Sequence, residues 1–361
     1  MPSLDAGGAQ KVSLHLLTHL DRNKFSIALL LLLAGEWEFS NQLPADITVI
    51  AKSHKRLATS LPSIFNVVRQ QKPDVVFSTL GPLNVLIALL IPFLPRRIKF
   101  IARESSILSS RNHDERYPAL LDTLYKALYN NFDMIVCQSN HMKDDLERNY
   151  HVAKKRLTVI NNPVNFPNVT RHKDKKSDTI RLISIGRLAP EKGYDRLLEV
   201  FSRLDQREFT LVILGVGPLK QHLQTLISRY GLDNSVTLLG YKENPFEFLK
   251  GSDCLLLTSR YEGFPNVVLE ANACGVPVIA FNSPGGTSEI IRDGMNGWLI
   301  EDGNIEAFAN AIKSKIYLYA DEDGIKKLIY DNYSLKRILE TYERVIENVV
   351  NANKPHNRDA D

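Results

Sequence analysis

Short apolar runs of four to nine residues alternate with amphipathic stretches along most of the chain. The runs predict β-strands and the stretches between them predict helices, because the two structures bury apolar residues with different periods. We predict strands at 25–33, 47–51, 75–78, 98–102, 134–138, 157–160, 180–185, 210–214, 236–239, 254–258, 277–281 and 297–300. Regular alternation of strand and helix is typical of βαβ units, so the pattern predicts an α/β protein with parallel sheets.

A polar segment divides the pattern. Residues 171–178 read RHKDKKSD and have no apolar face, which is typical of a linker. A chain of 361 residues also exceeds what one hydrophobic core usually organises. We therefore predict an N-terminal domain at 1–170, a linker at 171–178, a second domain at 179–335, and a C-terminal helix with a polar tail at 336–361.

The beginning of the pattern is irregular. Gly7 and Gly8 are typical of a turn between a strand and a helix, and an amphipathic stretch follows as far as Leu20. Only six residues precede this turn. This segment is too short and too polar to be the first strand of a doubly wound domain, which normally lies in the middle of the sheet. We therefore expect that the first strand is missing.

Composition narrows the class of protein. The chain is 44% hydrophobic and 24% charged, as in ordinary globular proteins, and its three cysteines are too few and scattered for a disulfide framework or a zinc cluster. Residues 1–170 carry 20 Lys and Arg against 14 Asp and Glu, whereas the remainder carries 25 against 27. We expect the basic half to meet any anionic surface, and we expect no nucleic acid partner.

Two cations follow the strand predicted at 180–185. Arg187 and Lys192 lie in the segment GRLAPEKG, which begins at Gly186. Ligands of open α/β sheets bind at the carboxyl ends of strands, and paired cations beside a glycine turn suit a diphosphate. Taken singly, either side chain is more typical of a solvated surface charge than of a ligand site.

Two carboxylates follow the strand predicted at 254–258. Glu262 lies in the loop before a helix that Pro265 is expected to begin, and Glu270 lies about two turns inside that helix. This spacing predicts that the pair spans a site and does not chelate one ion. Glu270 either accepts hydrogen bonds from sugar or ribose hydroxyls or faces solvent.

Two further glycine turns complete the set. The turn at 215–218 (GVGP) lacks the third glycine of a dinucleotide fingerprint, and Pro218 removes an N–H donor, so it predicts a tight turn that admits a ligand near Gly217. The turn at 283–289 (SPGGTSE) offers successive glycine amides to an anion.

The order and spacing of these segments resemble the retaining glycosyltransferases of family 4. The segments that match are 186–193 (GRLAPEKG), 215–218 (GVGP), 262–270 (EGFPNVVLE) and 277–286 (PVIAFNSPGG), with weaker similarity at 7–8 and 162–164. The resemblance implies the GT-B fold, in which two Rossmann-like doubly wound domains with parallel sheets face each other across an interdomain cleft. It further implies that the C-terminal domain binds the donor and the N-terminal domain binds the acceptor.

The resemblance also implies an activity and its residues. A hexose or N-acetylhexosamine would move from a nucleotide diphosphosugar, with UDP expected before GDP, to a saccharide or lipid-linked saccharide in lipopolysaccharide or capsule biosynthesis. Arg187 and Lys192 match the pair that binds the diphosphate, and Glu262 matches the residue that contacts the transferred sugar. Donor binding is implied for Gly8, Gly186, Gly217, Gly263, Phe264, Asn266 and Glu270.

Glu104 is the fourth candidate catalytic residue. It follows the strand predicted at 98–102, where many family members have a histidine or an acid that faces the reacting sugar. The alternative is a local ion pair between Arg103 and Glu104. We expect no metal and no cofactor, because the only strong Asp-x-Asp candidate, Asp321 with Asp323, lies in a late polar region typical of a solvated face.

Three alternatives remain open. The same fold carries nucleotide-sugar epimerases and phosphorylases, and a chain without its first strand could be a truncated, non-catalytic nucleotide-sugar-binding protein. The apolar run 83–95 precedes Arg96, Arg97 and Lys99, which suits contact with an anionic membrane, although the run is slightly more typical of a buried helix. No run reaches the ~18 residues of a membrane span, so we expect a cytoplasmic protein, peripheral on the inner face of the cytoplasmic membrane.

Overall fold

All twelve predicted strands are present in the computed structural model, with ends that differ by at most three residues. The structure describes residues 1–4, 7–35, 40–112, 118–166 and 179–352. The chain forms two units, of which one contains Met1–Pro163 with the segment from Leu335 onward, and the other contains Val164–Ser334. The predicted linker at 171–178 and the tail beyond residue 352 lie outside the described residues.

The first unit contains two groups of parallel strands, in which β1 pairs with β2, and β3, β4, β5 and β6 pair in chain order. The strands are β1 (Ala28–Leu33), β2 (Thr48–His54), β3 (Val75–Thr79), β4 (Lys99–Arg103), β5 (Met134–Cys137) and β6 (Leu157–Val159). The helices are α1 (Gly8–His19), α2 (Leu61–Gln71), α3 (Gly81–Leu90), α4 (Leu108–Asn112), α5 (Pro118–Leu128) and α6 (Asn140–Tyr150). A C-terminal helix, Leu335–Asn351, packs Ile338 and Leu339 into the same core as Leu16 and Ile101.

The first four residues pair with β1. The Met1 amino group donates to Leu30 O at 2.7 Å, and Leu33 N donates to Pro2 O at 2.9 Å. Leu4 is fully buried. These residues do not form a regular strand, yet the hydrogen bonds and the burial of Leu4 give this short segment a defined place beside β1.

The second unit contains a single six-stranded parallel sheet with the order β12-β11-β10-β7-β8-β9. The strands are β7 (Ile180–Ile185), β8 (Phe209–Leu214), β9 (Val236–Gly240), β10 (Cys254–Leu257), β11 (Val278–Phe281) and β12 (Gly297–Ile300). The helices are α7 (Tyr194–Phe201), α8 (Lys220–Arg229), α9 (Phe246–Lys250), α10 (Asn266–Ala273), α11 (Thr287–Ile290), α12 (Ile305–Lys313) and α13 (Glu322–Tyr333). The chain winds outward from β7 to β9 and then from β10 to β12, which is the order of a doubly wound sheet.

Both faces of this sheet are buried. Leu182 and Leu256 pack into the apolar cluster on one face, whereas Ile183 and Leu255 pack into the cluster on the other. Successive residues of a strand point to opposite faces, so strands buried on both sides read as continuous apolar runs. This explains why the sequence predicted the strands of this unit so closely.

The apolar run at 83–95 forms α3 and the turn that follows it. Leu83, Ile87 and Ala88 are buried within the first unit, so the helical part of the run contributes to the core, whereas Phe93 is 74% exposed. Across the described ranges, no helix has both the length and the apolar character that are needed to cross a bilayer.

Candidate functional site

The candidate site of the second unit lies where the winding of the sheet reverses. β7 and β10 are neighbours, with Cys254 paired to Leu182, but the chain winds away from them in opposite directions. Open α/β sheets bind ligands in the crevice outside the carboxyl ends of strands at such a switch point. Arg187 and Lys192 follow β7, and Glu262 follows β10, so these predicted residues follow the two strands that flank the switch point.

Lys192 and Glu262 form an ion pair at this position. Lys192 Nζ donates to Glu262 Oε1 at 2.6 Å, and Ser259 Oγ donates to the same oxygen at 2.7 Å. The Glu262 side chain is 9% exposed, so the lysine and the hydroxyl together compensate a nearly buried carboxylate. The structure therefore brings two of the predicted catalytic residues into direct contact.

Arg187 pairs with a different carboxylate. Its Nη2 donates to Glu191 Oε1 at 2.6 Å, and its side chain is 68% exposed. Partial burial raises the pKa of the Glu191 carboxyl, but the Arg187 hydrogen bond and the nearby charges outweigh it and hold the pKa below its usual value. Both predicted cations are thus paired with carboxylates of the same unit.

Arg260 holds the turn that carries these cations, a role that the sequence patterns did not predict. Its backbone N–H donates to Glu191 O, and its Nη1 donates to Pro190 O, both at 2.8 Å. Its guanidinium also donates to both carboxylate oxygens of Asp195, at 2.9 and 2.7 Å. This bidentate hydrogen bond holds the pKa of Asp195 below its usual value. Arg260 and Asp195 lie 65 residues apart, so no local pattern links them.

The glycine turns fit together through their main chains. Gly215 has φ +147°, and a Cβ there would lie 1.9 Å from Gly186 O. A Cβ at Gly217 would lie 2.4 Å from Leu188 O. Tyr194 fixes the same turn, because its hydroxyl donates to Gly186 O at 3.1 Å and burial raises its pKa, which keeps it protonated. Only glycine allows these backbones to approach so closely.

The turn after β11 contacts Glu262 in the same way. Gly285 has φ +127°, and a Cβ there would lie 1.6 Å from Glu262 O. Glu262 N donates to Pro284 O at 3.0 Å, and Gly286 N donates to Gly263 O at 3.1 Å. The glycine-rich turn therefore supports the loop that carries Glu262.

The other predicted donor residues of this unit lie on that loop or on α10. Gly263 and Phe264 are buried, and the Phe264 ring packs against Tyr333. Asn266 begins α10. Glu270 is half-buried and lies four residues later, about one turn inside the helix, so the expectation of two turns is wrong. Pro265 precedes the helix and does not form its first turn, which accounts for part of this difference.

The remaining two candidates belong to the first unit. Gly8 is the first residue of α1 and is exposed. Glu104 directly follows β4 and is 1% exposed. Its Oε1 accepts hydrogen bonds from Asn84 Nδ2, at 2.6 Å, and from the Tyr129 hydroxyl. Burial and the nearby Glu104 charge raise the pKa of Tyr129, so that hydroxyl remains a donor.

Arg103 is fully buried, and its side chain makes hydrogen bonds to other partners than those of the Glu104 side chain. Its Nη2 donates to Asn162 Oδ1 at 2.6 Å, and its Nε donates to the Tyr342 hydroxyl at 3.1 Å. Adjacent residues at a strand end point to opposite faces, which separates the two side chains. These bonds tie the end of β4 to Asn162 and to the C-terminal helix. Arg103 therefore has other partners than the local pair with Glu104 that the sequence offered as an alternative.

The late aspartates lie in a solvated region, as expected. Asp321 precedes α13, and the Asp323 side chain is 97% exposed. Within the described part of the chain, no three His, Cys, Asp or Glu side chains are grouped as metal ligands would be.

Two family models match the chain in consecutive regions. The model of Glycosyltransferase Family 4 matches residues 6–166, and the model of Glycosyl transferases group 1 matches residues 166–348. The chain belongs to glycosyltransferase family 4. The resemblance inferred from the glycine turns and the two glutamates is thereby confirmed.

Relatives of this family 4 chain include named bacterial glycosyltransferases. The amylovoran biosynthesis glycosyltransferase AmsD of Erwinia amylovora is 27% identical over 322 residues, 86% of this chain and 87% of AmsD. The N-acetylgalactosamine-N,N'-diacetylbacillosaminyl-diphospho-undecaprenol 4-alpha-N-acetylgalactosaminyltransferase of Campylobacter jejuni is 27% identical over 67% of this chain and 66% of its own length. An uncharacterized Methanocaldococcus jannaschii glycosyltransferase is 32% identical over 64% of this chain and 61% of its length. The chain thus spans less than two thirds of the last two relatives.

Solved structures share the fold of this family 4 chain. The lipopolysaccharide outer core galactosyltransferase WaaB, in its apo form, matches with a TM-score of 0.78 at 17% identity, over 96% of this chain and 97% of WaaB. Anabaena Alr3699/HepE in complex with UDP-glucose matches with a TM-score of 0.81 at 18% identity, over 96% and 98% of the two chains. The predicted GT-B fold class is confirmed.

Proposed function

We propose that the protein transfers a hexose or N-acetylhexosamine from a nucleotide diphosphosugar, preferably a UDP-sugar, to a saccharide or lipid-linked saccharide. The acceptor belongs to the biosynthesis of a surface polysaccharide such as lipopolysaccharide or capsule. The observation that carries the proposal is the convergence of Arg187, Lys192 and Glu262 on the two strands that flank the switch point. The saccharide-building roles of AmsD and of the Campylobacter relative, and the UDP-glucose bound to HepE, support the choice of substrates.

The chemistry follows from the charges at this position. A leaving nucleoside diphosphate gains negative charge as the glycosidic bond breaks, and fixed cations and oriented amides stabilise that charge. We assign this role to Arg187, Lys192 and the amides near Gly263 and Asn266, with no metal required. Glu262 would hold the transferred sugar, and Glu270 would accept hydrogen bonds from the ribose hydroxyls.

We further propose that the anomeric configuration is retained. The acceptor would attack from the face that the diphosphate leaves, and a phosphate oxygen would take the acceptor proton. In the first unit, Gly8 is assigned to the donor phosphates and Glu104 to the reacting sugar. The hydrogen bonds from Asn84 and Tyr129 fix the Glu104 carboxyl, which supports a role that needs a defined orientation.

A peripheral location on the inner face of the cytoplasmic membrane completes the proposal. Phe93, Arg96 and Arg97 are exposed together at the end of the segment that follows α3. An exposed aromatic ring, followed within four residues by two exposed arginines, suits an anionic lipid surface. We expect wild type to sediment with phosphatidylglycerol vesicles but not with phosphatidylcholine vesicles. The charge-reversed variant Arg96→Glu/Arg97→Glu is expected not to sediment with either.

The donor site is tested by calorimetric titration with UDP, GDP and ADP. We expect micromolar binding of one nucleotide and a loss of about 1.5–3 kcal/mol of binding free energy in Arg187→Ala, the scale of a charge-assisted hydrogen bond. Arg207→Ala is the matched control, because Arg207 is an exposed arginine of the same unit that pairs with Asp205. Folded wild-type protein that binds none of the nucleotides would contradict the proposal.

Turnover tests the remaining assignments. Incubation with the preferred UDP-sugar and a saccharide acceptor is expected to give a product whose anomeric configuration, read by NMR, matches that of the donor. A product that forms from the donor without any acceptor would favour an epimerase. Inversion of the anomeric centre would overturn the retaining mechanism while leaving the donor site intact.

A further inference from the structure

Glu191 places an anion at the position where the proposed donor needs cations. Its Oε1 lies 2.6 Å from Arg187 Nη2, and Lys192 is the next residue on the same turn. The pKa of Glu191 is held below its usual value, so the carboxylate is charged at neutral pH. The guanidinium assigned to the donor diphosphate is therefore occupied by an internal carboxylate.

The two partners differ in how firmly they are held. The Glu191 side chain is 18% exposed, and its turn is fixed by the bonds that Arg260 makes to Glu191 O and Pro190 O. The Arg187 side chain is 68% exposed. A long, exposed side chain exchanges partners at little cost, because solvent around the guanidinium screens its attraction to the carboxylate. Arg187 can thus leave Glu191 for a stronger anion without disturbing the turn.

We propose that the Glu191 carboxylate competes with the donor diphosphate for Arg187, so that donor binding exchanges one ion pair for another. This inference rests on the proposed function of Arg187. A diphosphate carries more charge than a carboxylate and wins the exchange when it is bound. The returning carboxylate then helps to release the nucleoside diphosphate product after transfer.

If Glu191 positioned Arg187 for the diphosphate, its removal would change the nucleotide affinity in the opposite direction. In that case the guanidinium would sample more conformations once Glu191 is removed, and nucleotide binding would become weaker. If it competes, its removal frees Arg187 and strengthens binding. One isosteric substitution, Glu191→Gln, separates the two roles because it removes the charge and keeps the shape.

The experiment measures the dissociation constant of UDP for wild type, Arg187→Ala, Glu191→Gln and the double variant at low salt. We expect Glu191→Gln to bind UDP about 2- to 10-fold more tightly, in line with the small free energy of an exposed pair, and to release it more slowly. In the Arg187→Ala background the same substitution is expected to change the affinity by less than about 1.5-fold, because the competed group is gone.

Glu199→Gln is the matched control. Glu199 pairs with Arg203 at 2.9 Å with the same four-residue spacing and in the same unit, but on α7, so its substitution is expected to leave UDP affinity unchanged. A weaker or unchanged affinity in Glu191→Gln would overturn the competition. If folded wild type bound no nucleoside diphosphate at all, the proposed function would fail with it, so the two failures are distinguishable.

Discussion

Lys192 and Glu262 are 70 residues apart in the sequence, yet Lys192 Nζ lies 2.6 Å from Glu262 Oε1. The pair joins the turn after β7 to the loop after β10, across the point where the winding of the sheet reverses. A charge pair that links two distant segments contributes to the stability of the unit as well as to its chemistry. We expect that removal of the lysine and neutralisation of the glutamate lower the free energy of unfolding by different amounts.

Removing Lys192 should destabilise the second unit more than neutralising Glu262 does. Lys192→Ala leaves a nearly buried carboxylate with the Ser259 hydroxyl as a donor, which costs about 2–4 kcal/mol. Glu262→Gln leaves a lysine whose side chain is 24% exposed, which costs about 1 kcal/mol. Urea unfolding followed by Trp298 fluorescence in a Trp37→Phe background measures both. Equal losses would show that the carboxylate is better solvated than its burial indicates.

Gly285→Ala should destabilise the loop that carries Glu262. Its φ of +127° and a Cβ 1.6 Å from Glu262 O combine backbone strain with a main-chain clash, for a loss of about 3 kcal/mol or more in the free energy of unfolding. Gly294→Ala is the control, because Gly294 has φ +75° with open space around it and should lose only about 1 kcal/mol. Similar losses in both variants would mean that the turn at Gly285 relaxes.

Tyr342→Phe should destabilise the first unit by about 1–3 kcal/mol, because it leaves Arg103 Nε buried without its hydroxyl acceptor. Thermal unfolding followed by calorimetry measures the loss. Tyr330→Phe removes the hydroxyl of a side chain that is 59% exposed and should shift the midpoint very little. A midpoint unchanged by Tyr342→Phe would mean that water reaches the guanidinium.

Acid should weaken the first unit through His15. Burial and the charges of Lys11 and His19 lower the pKa of His15 from 6.5 to about 4 in the folded protein. Between these values the unfolded chain binds the extra proton, so the free energy of unfolding falls as the pH drops from 6.5 toward 4. This pKa shift corresponds to a loss of about 1–3 kcal/mol in the free energy of unfolding, after a reduction for the partial exposure of His15 to solvent.

The comparison of wild type with His15→Gln isolates this effect. The variant should show a flatter loss of stability between pH 6.5 and 4, whereas His222→Gln, at an exposed position of α8, should follow wild type. The Met1 amino group, whose pKa burial lowers to about 5, titrates equally in all three proteins and cancels in the difference. Parallel curves for wild type and His15→Gln would contradict the prediction.

The sequence predicted the strands and the glycine turns well because both leave local signals. A strand buried on two faces reads as an apolar run, and a turn that needs a close backbone approach requires glycine, as at Gly215 and Gly285. The match of these turns to a known family then extended the local signals to a fold and to site residues.

Partnerships between distant segments left no such signal. Arg260 and Asp195 meet because α7 and the loop after β10 are neighbours in the folded sheet, and nothing in either segment predicts the other. The surroundings of Glu104 are similar, since Asn84 and Tyr129 come from different elements on either side of it in the chain. Their roles became visible only once the sheet order was known.

The contacts among the glycine turns have a consequence for which positions of this unit tolerate substitution. Gly215 meets Gly186 O, Gly217 meets Leu188 O, and Gly285 meets Glu262 O, so the framework of the site rests on main chain against main chain. The side chains of Tyr194 and Arg260 add hydrogen bonds to that framework. A substitution at an exposed position such as Val216 is therefore expected to change the surface of a turn while the contacts between the main chains stay in place.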